Sequence, residues 1–198
     1  MQGVTALVLV ACVAGSSVAR TVTGEPRIPH ASGHASKKER VDDRPSLPLL
    51  GTLVQIHTGT LLPLDASLPG DERFVALMAD RVTGKSEPID PRLLELVRRL
   101  AARHVGARIE LVSGYRSAKL NEMLRKKGHH VASHSQHSLG HALDFRLVLP
   151  GESDPMPPSA LEAEIRSLGW DGGVGVYPGK DDRFVHADVG PRRGWTGE

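Results

Sequence analysis

The sequence predicts an α+β domain in which helices pack against a mainly antiparallel sheet. The chain has 198 residues, enough for one domain with a hydrophobic core. Short segments alternate apolar and polar side chains with a period of two, which is typical of strands. Between them lie longer segments whose apolar residues recur at helical spacing. Apolar residues make up 39% of the chain and charged residues 24%, as in ordinary soluble proteins.

The first residues, 1–19, predict a signal peptide. They contain no charged side chain and end in the small residues Ser17-Val18-Ala19, a pattern that signal peptidase reads. Their apolar run is shorter than the roughly 18 residues of a membrane span, so we expect no stable span in the mature chain. The protein is therefore expected in the periplasm or cell envelope. The single cysteine, Cys12, leaves a lipid anchor as the alternative.

Residues 20–46 are rich in Pro, Ser, Gly, His and charged residues, which predicts a flexible linker before a domain at 47–198. Thr52–His57 and Leu61–Leu64 predict two strands joined by a turn. Apolar residues at helical spacing then predict a short helix from Glu72 to Asp80.

The clearest helix begins at Asp90, a plausible N-cap, with Pro91 at the first helical position. An apolar stripe from Leu93 to Ala101 predicts that one face is buried, and Gly106 ends the helix. Two further helices are predicted over 117–127 and 159–168, and three further strands over 108–112, 142–148 and 183–189.

The glycine-rich segment 169–177 predicts tight turns or a close approach of the backbone to a ligand. No helical pattern follows it, so it is not a dinucleotide-binding motif. The net charge is only +2 and aromatic residues make up 4% of the chain. These values give no indication of a nucleic-acid partner.

Two polar clusters predict a metal site. Residues 133–144 contain three histidines and end at Asp144, and Phe184-Val185-His186-Ala187-Asp188 follows about forty residues later. Two histidines and one carboxylate can hold zinc and leave a fourth position for water, so we predict His137, Asp144 and His186 as ligands. The alternative is adventitious metal affinity of a histidine-rich loop. On a strand, Asp188 shares a face with His186, which makes it a candidate general base.

Arg116 is a further candidate because it follows a predicted strand and a glycine, in Ser113-Gly114-Tyr115-Arg116-Ser117. A guanidinium at that position can bind a substrate carboxylate or a developing oxyanion. The alternative is a surface ion pair beside a helix-capping Ser117.

Four motifs follow one another along the chain: Ser113-Gly114-Tyr115-Arg116-Ser117, Ser135-x-His137-x-x-Gly140-x-Ala142-x-Asp144, Gly172-Gly173-Val174-Gly175-x-Tyr177 and Phe184-Val185-His186-x-Asp188. In this order they resemble the zinc murein peptidases, that is, the D-Ala-D-Ala carboxypeptidase and L,D-endopeptidase group, and most closely its MepK-like branch. The resemblance covers roughly residues 50–196.

The resemblance implies a fold like that of VanX and the hedgehog signalling domain, with one zinc ion per chain held by His137, Asp144 and His186. It places Arg116 near the carbonyl or carboxylate of the substrate. The implied activity is zinc-dependent hydrolysis of amide bonds in peptidoglycan stem peptides or cross-links. We expect the protein to act as a monomer outside the cytoplasm.

One position departs from the pattern. The VanX-like branch has a glutamate as general base three residues before the last zinc histidine, where this chain has Arg183. Asp188, or as a second choice Asp182, would have to replace it. Without a competent base the chain would be a zinc-containing peptidoglycan-binding module without activity, which is one alternative. A D-Ala-D-Ala carboxypeptidase is the other. A metal-buffering protein is a weaker third, because it explains only the histidine-rich loop.

Overall fold

The computed structural model describes residues 47–128, 135–180 and 183–197. The predicted signal peptide (1–19) and linker (20–46) lie outside these residues, and so do His134 and Asp182. The proposed domain boundaries therefore stay predictions.

The described residues form strands and helices in close agreement with the sequence patterns. The strands are β1 (Gly51–Gln55), β2 (Thr60–Leu64), β3 (Ala107–Ser113), β4 (Ala142–Val148), β5 (Gly173–Tyr177), β6 (Phe184–Asp188) and β7 (Arg193–Thr196). The helices are α1 (Asp71–Leu77), α2 (Pro91–Arg103), α3 (Ala118–Lys126) and α4 (Pro158–Ser167), and a short 3-10 helix covers Gln136–Leu139.

The strands form one seven-stranded sheet in the order β2-β1-β3-β4-β6-β5-β7. Neighbouring strands are antiparallel except for the pairs β1–β3 and β5–β7, which are parallel. The predicted α+β class with a mainly antiparallel sheet is therefore confirmed. Strands β4 and β6 lie side by side towards the middle of the sheet, which brings the two predicted metal-binding segments together.

The hydrophobic core lies between the sheet and the helices. Leu143, Phe145 and Leu147 of β4 are fully buried in it, as the alternation of β4 predicts. Helices α2 and α4 supply the facing residues, including Leu100 and Ile165. Asp144 and Arg146 alternate with these apolar residues, so they lie on the opposite face of the sheet. The polar chemistry is thus separated from the core by the sheet itself.

The helix caps form as predicted. Asp90 accepts a hydrogen bond from the backbone N–H of Arg92 at the start of α2, with Pro91 at the first position. Ser117 accepts one from the backbone N–H of Leu120 at the start of α3. None of the helices in the part of the chain that the structure describes has the length and hydropathy that a membrane crossing requires.

Three segments differ from the predictions. Helix α1 ends at Leu77 rather than at Asp80, because the Asp80 carboxylate accepts hydrogen bonds from Val82 and Thr83 and forms a turn there. The glycine-rich segment, predicted as turns, contains strand β5. The C-terminal tail, for which no element was predicted, contains strand β7. Both strands adjoin the candidate site.

Candidate metal centre

Three separate elements bring the predicted ligands together. His137 lies in the 3-10 helix, Asp144 in β4 and His186 in β6. Asp144 and His186 are directly opposite each other in the β4–β6 pair. Between His137 and Asp144 the chain turns at Gly140, whose φ of +71° and close approach to the carbonyl oxygen of Pro88 leave no room for a side chain.

The three ligand atoms are close and buried. Asp144 Oδ1 lies 3.1 Å from His137 Nε2 and 2.8 Å from His186 Nδ1. The two ring nitrogens are 3.1 Å apart. Each of the three residues is at most 8% exposed. Ligands about 2.0 Å from a tetrahedral zinc ion would be roughly 3.3 Å apart, only slightly further than these atoms are.

Each histidine has a second ring nitrogen that faces away from the cluster, and the group that this nitrogen contacts fixes the tautomer. His137 Nδ1 lies 2.6 Å from the carbonyl oxygen of Gly114, which can only accept, so Nδ1 carries the hydrogen. His186 Nε2 lies 3.0 Å from Asp188 Oδ2 and donates to it. In a neutral histidine the other nitrogen then has a lone pair, and these lone pairs converge on Asp144.

The pKa values of the three clustered residues are shifted from their ordinary values. Burial, assisted by the Arg116 guanidinium, lowers the pKa of His137 to about 4, so this ring is neutral at pH 7. Burial alone would raise the pKa of Asp144, but its interactions with His137 and with the Arg116 guanidinium hold it well below its ordinary value. For His186, burial lowers the pKa, but hydrogen bonds to Asp144 and Asp188 raise it overall.

This arrangement fits a metal cation. His137 Nε2 and the ionised Asp144 Oδ1 are both acceptors, and they lie 3.1 Å apart with no hydrogen available between them. A hydrogen on His186 Nδ1 could be donated to only one of these two acceptors. A divalent ion would accept lone pairs from all three atoms. Within the described residues, the group of His, Cys, Asp and Glu side chains placed to hold an ion is the predicted one: His137, Asp144 and His186.

Arg116 contacts the cluster directly. Its Nη2 pairs with Asp144 Oδ2, and its Nε donates to Ser113 Oγ at 2.8 Å. Its backbone N–H donates to the carbonyl oxygen of His137 at 3.2 Å. The Arg116 side chain is 16% exposed, so it is partly accessible from the surface. The alternative of a surface ion pair does not describe this contact, because the Asp144 side chain is only 2% exposed.

Asp188 is fully buried and contacts the side of the His186 ring that faces away from the other ligand atoms. Its oxygens also accept hydrogen bonds from Arg193 at 2.7 and 3.1 Å and from the backbone N–H of Gly190 at 2.8 Å. These contacts engage both carboxylate oxygens of Asp188. Its role as general base stays a prediction, and the geometry favours one in which it orients His186.

Strand β7 contributes residues that the sequence patterns did not single out. Arg193 and Trp195 lie on the site face of the sheet, opposite Gly173 and Gly175 of β5. Side chains at these glycines would collide with Asp188 and Arg193 and with Trp195, respectively. The glycines do permit a close approach, as predicted, but of the protein's own side chains. The pattern that could have indicated this packing is the alternation of glycine with valine in Gly173–Tyr177, which predicts a strand with one face free of side chains.

His141 and Arg183 lie outside the cluster. His141 is not among the grouped ligands, and its backbone pairs with Gln136 and Val189. The carbonyl oxygen of Arg183 accepts a hydrogen bond from Arg146 Nε at 2.6 Å. Arg183, which stands where the VanX-like branch has its glutamate base, directly precedes β6.

The family described as peptidoglycan L,D-endopeptidase MepK matches residues 69–195. The chain is 34% identical over 160 residues to the probable peptidoglycan L,D-endopeptidase MepK of Haemophilus influenzae, covering 76% of this chain and 80% of that protein. It is 34% identical over 156 residues to the peptidoglycan L,D-endopeptidase MepK of Escherichia coli K12, covering 75% and 80%. No solved structure matches the chain significantly. These matches confirm the relationship predicted from the four motifs: the chain belongs to the MepK family of murein peptidases.

Proposed function

We propose that this chain is a zinc-dependent endopeptidase that cuts amide bonds in the peptide cross-links of peptidoglycan. The observation that carries the proposal is the convergence of three electron-rich atoms, from His137, Asp144 and His186, within 3.1 Å of one another. The names of the relatives in Haemophilus influenzae and Escherichia coli supply the substrate class.

The residues fit zinc better than a harder cation, because two of the three ligand atoms are imidazole nitrogens. When bound, zinc polarises a carbonyl oxygen and lowers the pKa of water to about 7. His137 and His186 present fixed nitrogens because their other nitrogens are held by Gly114 and Asp188. Each chain would hold one ion.

Arg116 has two roles in this proposal. It holds Oδ2 of Asp144, which leaves Oδ1 to face the two histidines. The guanidinium has further N–H groups that can donate to a carbonyl or carboxylate oxygen of the substrate, as the family resemblance implies. A positive group beside the scissile bond would stabilise negative charge that develops on that oxygen during attack.

A second candidate function is a peptidoglycan-binding module without activity, and one observation favours it. Of the two predicted bases, the structure describes only Asp188, and its oxygens already accept hydrogen bonds from His186, Arg193 and Gly190. The D-Ala-D-Ala carboxypeptidase reading differs only in the position of the cut. We further propose export to the periplasm or cell envelope, and action as a monomer.

The proposal is tested by incubating purified peptidoglycan with the zinc-loaded protein, with the metal-free protein and with the His186→Ala variant. Mass spectrometry of the released fragments identifies the bond. We expect loss of cross-linked species with the zinc-loaded protein alone. Intact cross-links with release of a terminal D-alanine would indicate the carboxypeptidase. Unchanged peptidoglycan that nevertheless retains the zinc-loaded protein in a pull-down would indicate the binding module.

A further inference from the structure

We propose that Asp188 and Arg193 are positioning residues, which together with Trp195 fix the His186 ring so that Nδ1 faces the metal. This inference rests on the proposed metal site and assigns Asp188 a role other than general base. It also gives strand β7 a function, because β7 carries both Arg193 and Trp195.

The first step is the contact between Asp188 and His186. Asp188 Oδ2 lies 3.0 Å from His186 Nε2, and the carboxylate is fully buried. A carboxylate that accepts the Nε2 hydrogen holds the histidine in the tautomer whose Nδ1 lone pair is free, and it increases the basicity of that nitrogen. Since an imidazole has its two nitrogens on diverging edges, the same carboxylate is poorly placed to reach a water beyond Nδ1.

The second step is how a fully buried carboxylate remains charged and fixed. Arg193 forms a two-pronged contact with Asp188, with Nη2 2.7 Å from Oδ2 and Nη1 3.1 Å from Oδ1. The backbone N–H of Gly190 donates to Oδ1 at 2.8 Å. The Arg193 side chain is 43% exposed and Asp188 is fully buried, so the ion pair links a buried carboxylate to a partly solvated guanidinium. Two parallel N–H bonds define the plane of the carboxylate and hence the direction from which it meets His186.

The third step is the wall that limits movement of the His186 ring. The Trp195 ring lies 5.2 Å from the His186 ring, centre to centre. Its indole N–H donates to the Tyr177 hydroxyl at 3.2 Å, and the Arg193 guanidinium lies 5.0 Å from the Trp195 ring centre. Arg193 therefore contacts both Asp188 and Trp195, which are the two groups that restrain His186.

The local backbone is built for these contacts. A side chain at Gly173 would collide with Asp188 Oδ2 and Arg193 Nη1, and one at Gly175 would collide with the Trp195 ring. Helix α4 also secures β7, because Arg166 Nη2 donates to the carbonyl oxygen of Arg193. The position of β7 is thus fixed independently of the metal ligands.

The test compares the parent protein with three variants: Asp188→Asn, Arg193→Gln and, as the matched control, Arg192→Gln at the exposed neighbouring arginine. Circular dichroism checks folding. Zinc affinity is measured by competition with a chromophoric chelator, and the absorption spectrum of the cobalt-loaded protein reports the ligand geometry. None of these measurements involves substrate.

We expect Asp188→Asn to weaken zinc binding by about 10- to 100-fold, the range usual for a lost outer partner of a metal-binding histidine. Arg193→Gln should weaken it less, because the arginine is partly solvated, and both variants should alter the cobalt spectrum. Arg192→Gln should change neither. Saturating zinc should restore much of the turnover of Arg193→Gln.

Parental zinc affinity and cobalt spectrum in a folded Asp188→Asn variant, with turnover lost, would overturn the inference and support the general base. If Asp188→Asn does not fold, Arg193→Gln decides, since it retains the carboxylate: parental affinity and spectrum there would overturn the inference as well. A parent protein that binds no zinc would overturn both this inference and the proposed function. A parent that binds zinc but cuts no peptidoglycan would refute the proposed activity alone.

Discussion

Replacing Arg116 with methionine tests the electrostatics of the metal centre. The substitution removes the guanidinium that pairs with Asp144 Oδ2 and retains much of the side-chain volume. Asp144 is 2% exposed and Arg116 is 16% exposed, so the pair is mostly shielded from water. Removing one partner of a buried pair typically costs about 3–5 kcal/mol, because the other charge is left uncompensated.

We expect the lower end of that range, about 3 kcal/mol, in the metal-free protein, because His137 and His186 still contact Asp144 Oδ1. A protein of this size loses roughly 2–4 °C in Tm for each kcal/mol, so Tm should fall by about 6–12 °C. With zinc bound the loss should be smaller, since the ion supplies positive charge to the same carboxylate. By thermodynamic linkage, Arg116→Met should then bind zinc more tightly than the parent does.

Urea unfolding and thermal denaturation, each with excess zinc and with a chelator, measure these four stabilities. Arg125→Met is the matched control, because Arg125 is an exposed arginine on α3. An unchanged stability of metal-free Arg116→Met would show that the pair contributes nothing to the fold. Equal losses with and without zinc would show that the arginine and the ion do not act on the same carboxylate.

Three further predictions concern single positions. His137→Ala and His186→Ala should each abolish stoichiometric zinc binding and peptidoglycan hydrolysis; metal analysis after dialysis and the digestion assay check this, and activity in either variant would refute the ligand set. Asp80→Asn should lower the free energy of unfolding by about 1–3 kcal/mol at pH 7, since a buried acceptor of several backbone N–H groups is weakened. Hydrogen bonding lowers the pKa of Asp80 despite its burial, so the ionised carboxylate stabilises the fold at pH values above the ordinary pKa of 3.8. Urea titrations should therefore show a smaller difference between parent and variant as the pH falls below 3.8. Gly175→Ala should displace Trp195 and cost about 1–3 kcal/mol by overpacking, with weakened zinc binding; an unchanged Tm and affinity would contradict the close contact.

The sequence was most informative in the strands, where the two-residue alternation of side chains determines which face each residue occupies. The alternation in β4 placed Leu143 and Phe145 in the core and Asp144 on the other face, as the structure shows. The same rule placed His186 and Asp188 on a shared face. Short-range periodicity thus predicted which face of the sheet carries the site.

The same rule could not predict the partner of each polar group. Alternation assigns a face, but the ring orientation of His186 depends on Asp188 and Arg193, and Arg193 belongs to a strand that no pattern predicted. Strand β7 is only four residues long and has a single large apolar side chain, so it has too little alternation to be recognised. It forms because it pairs with β5, which is a tertiary effect.

The direct opposition of Asp144 and His186 has a consequence for folding. A slip of β6 by one residue along β4 would move His186 to the helix-covered face and exchange it for an apolar neighbour. The candidate metal centre would then be lost completely rather than weakened. An ion that binds the native form with high affinity stabilises that form alone, by RT ln(1 + [L]/Kd). Zinc would therefore discriminate between correctly and incorrectly registered chains, and the metal content of a preparation would measure the fraction whose central strands are correctly aligned.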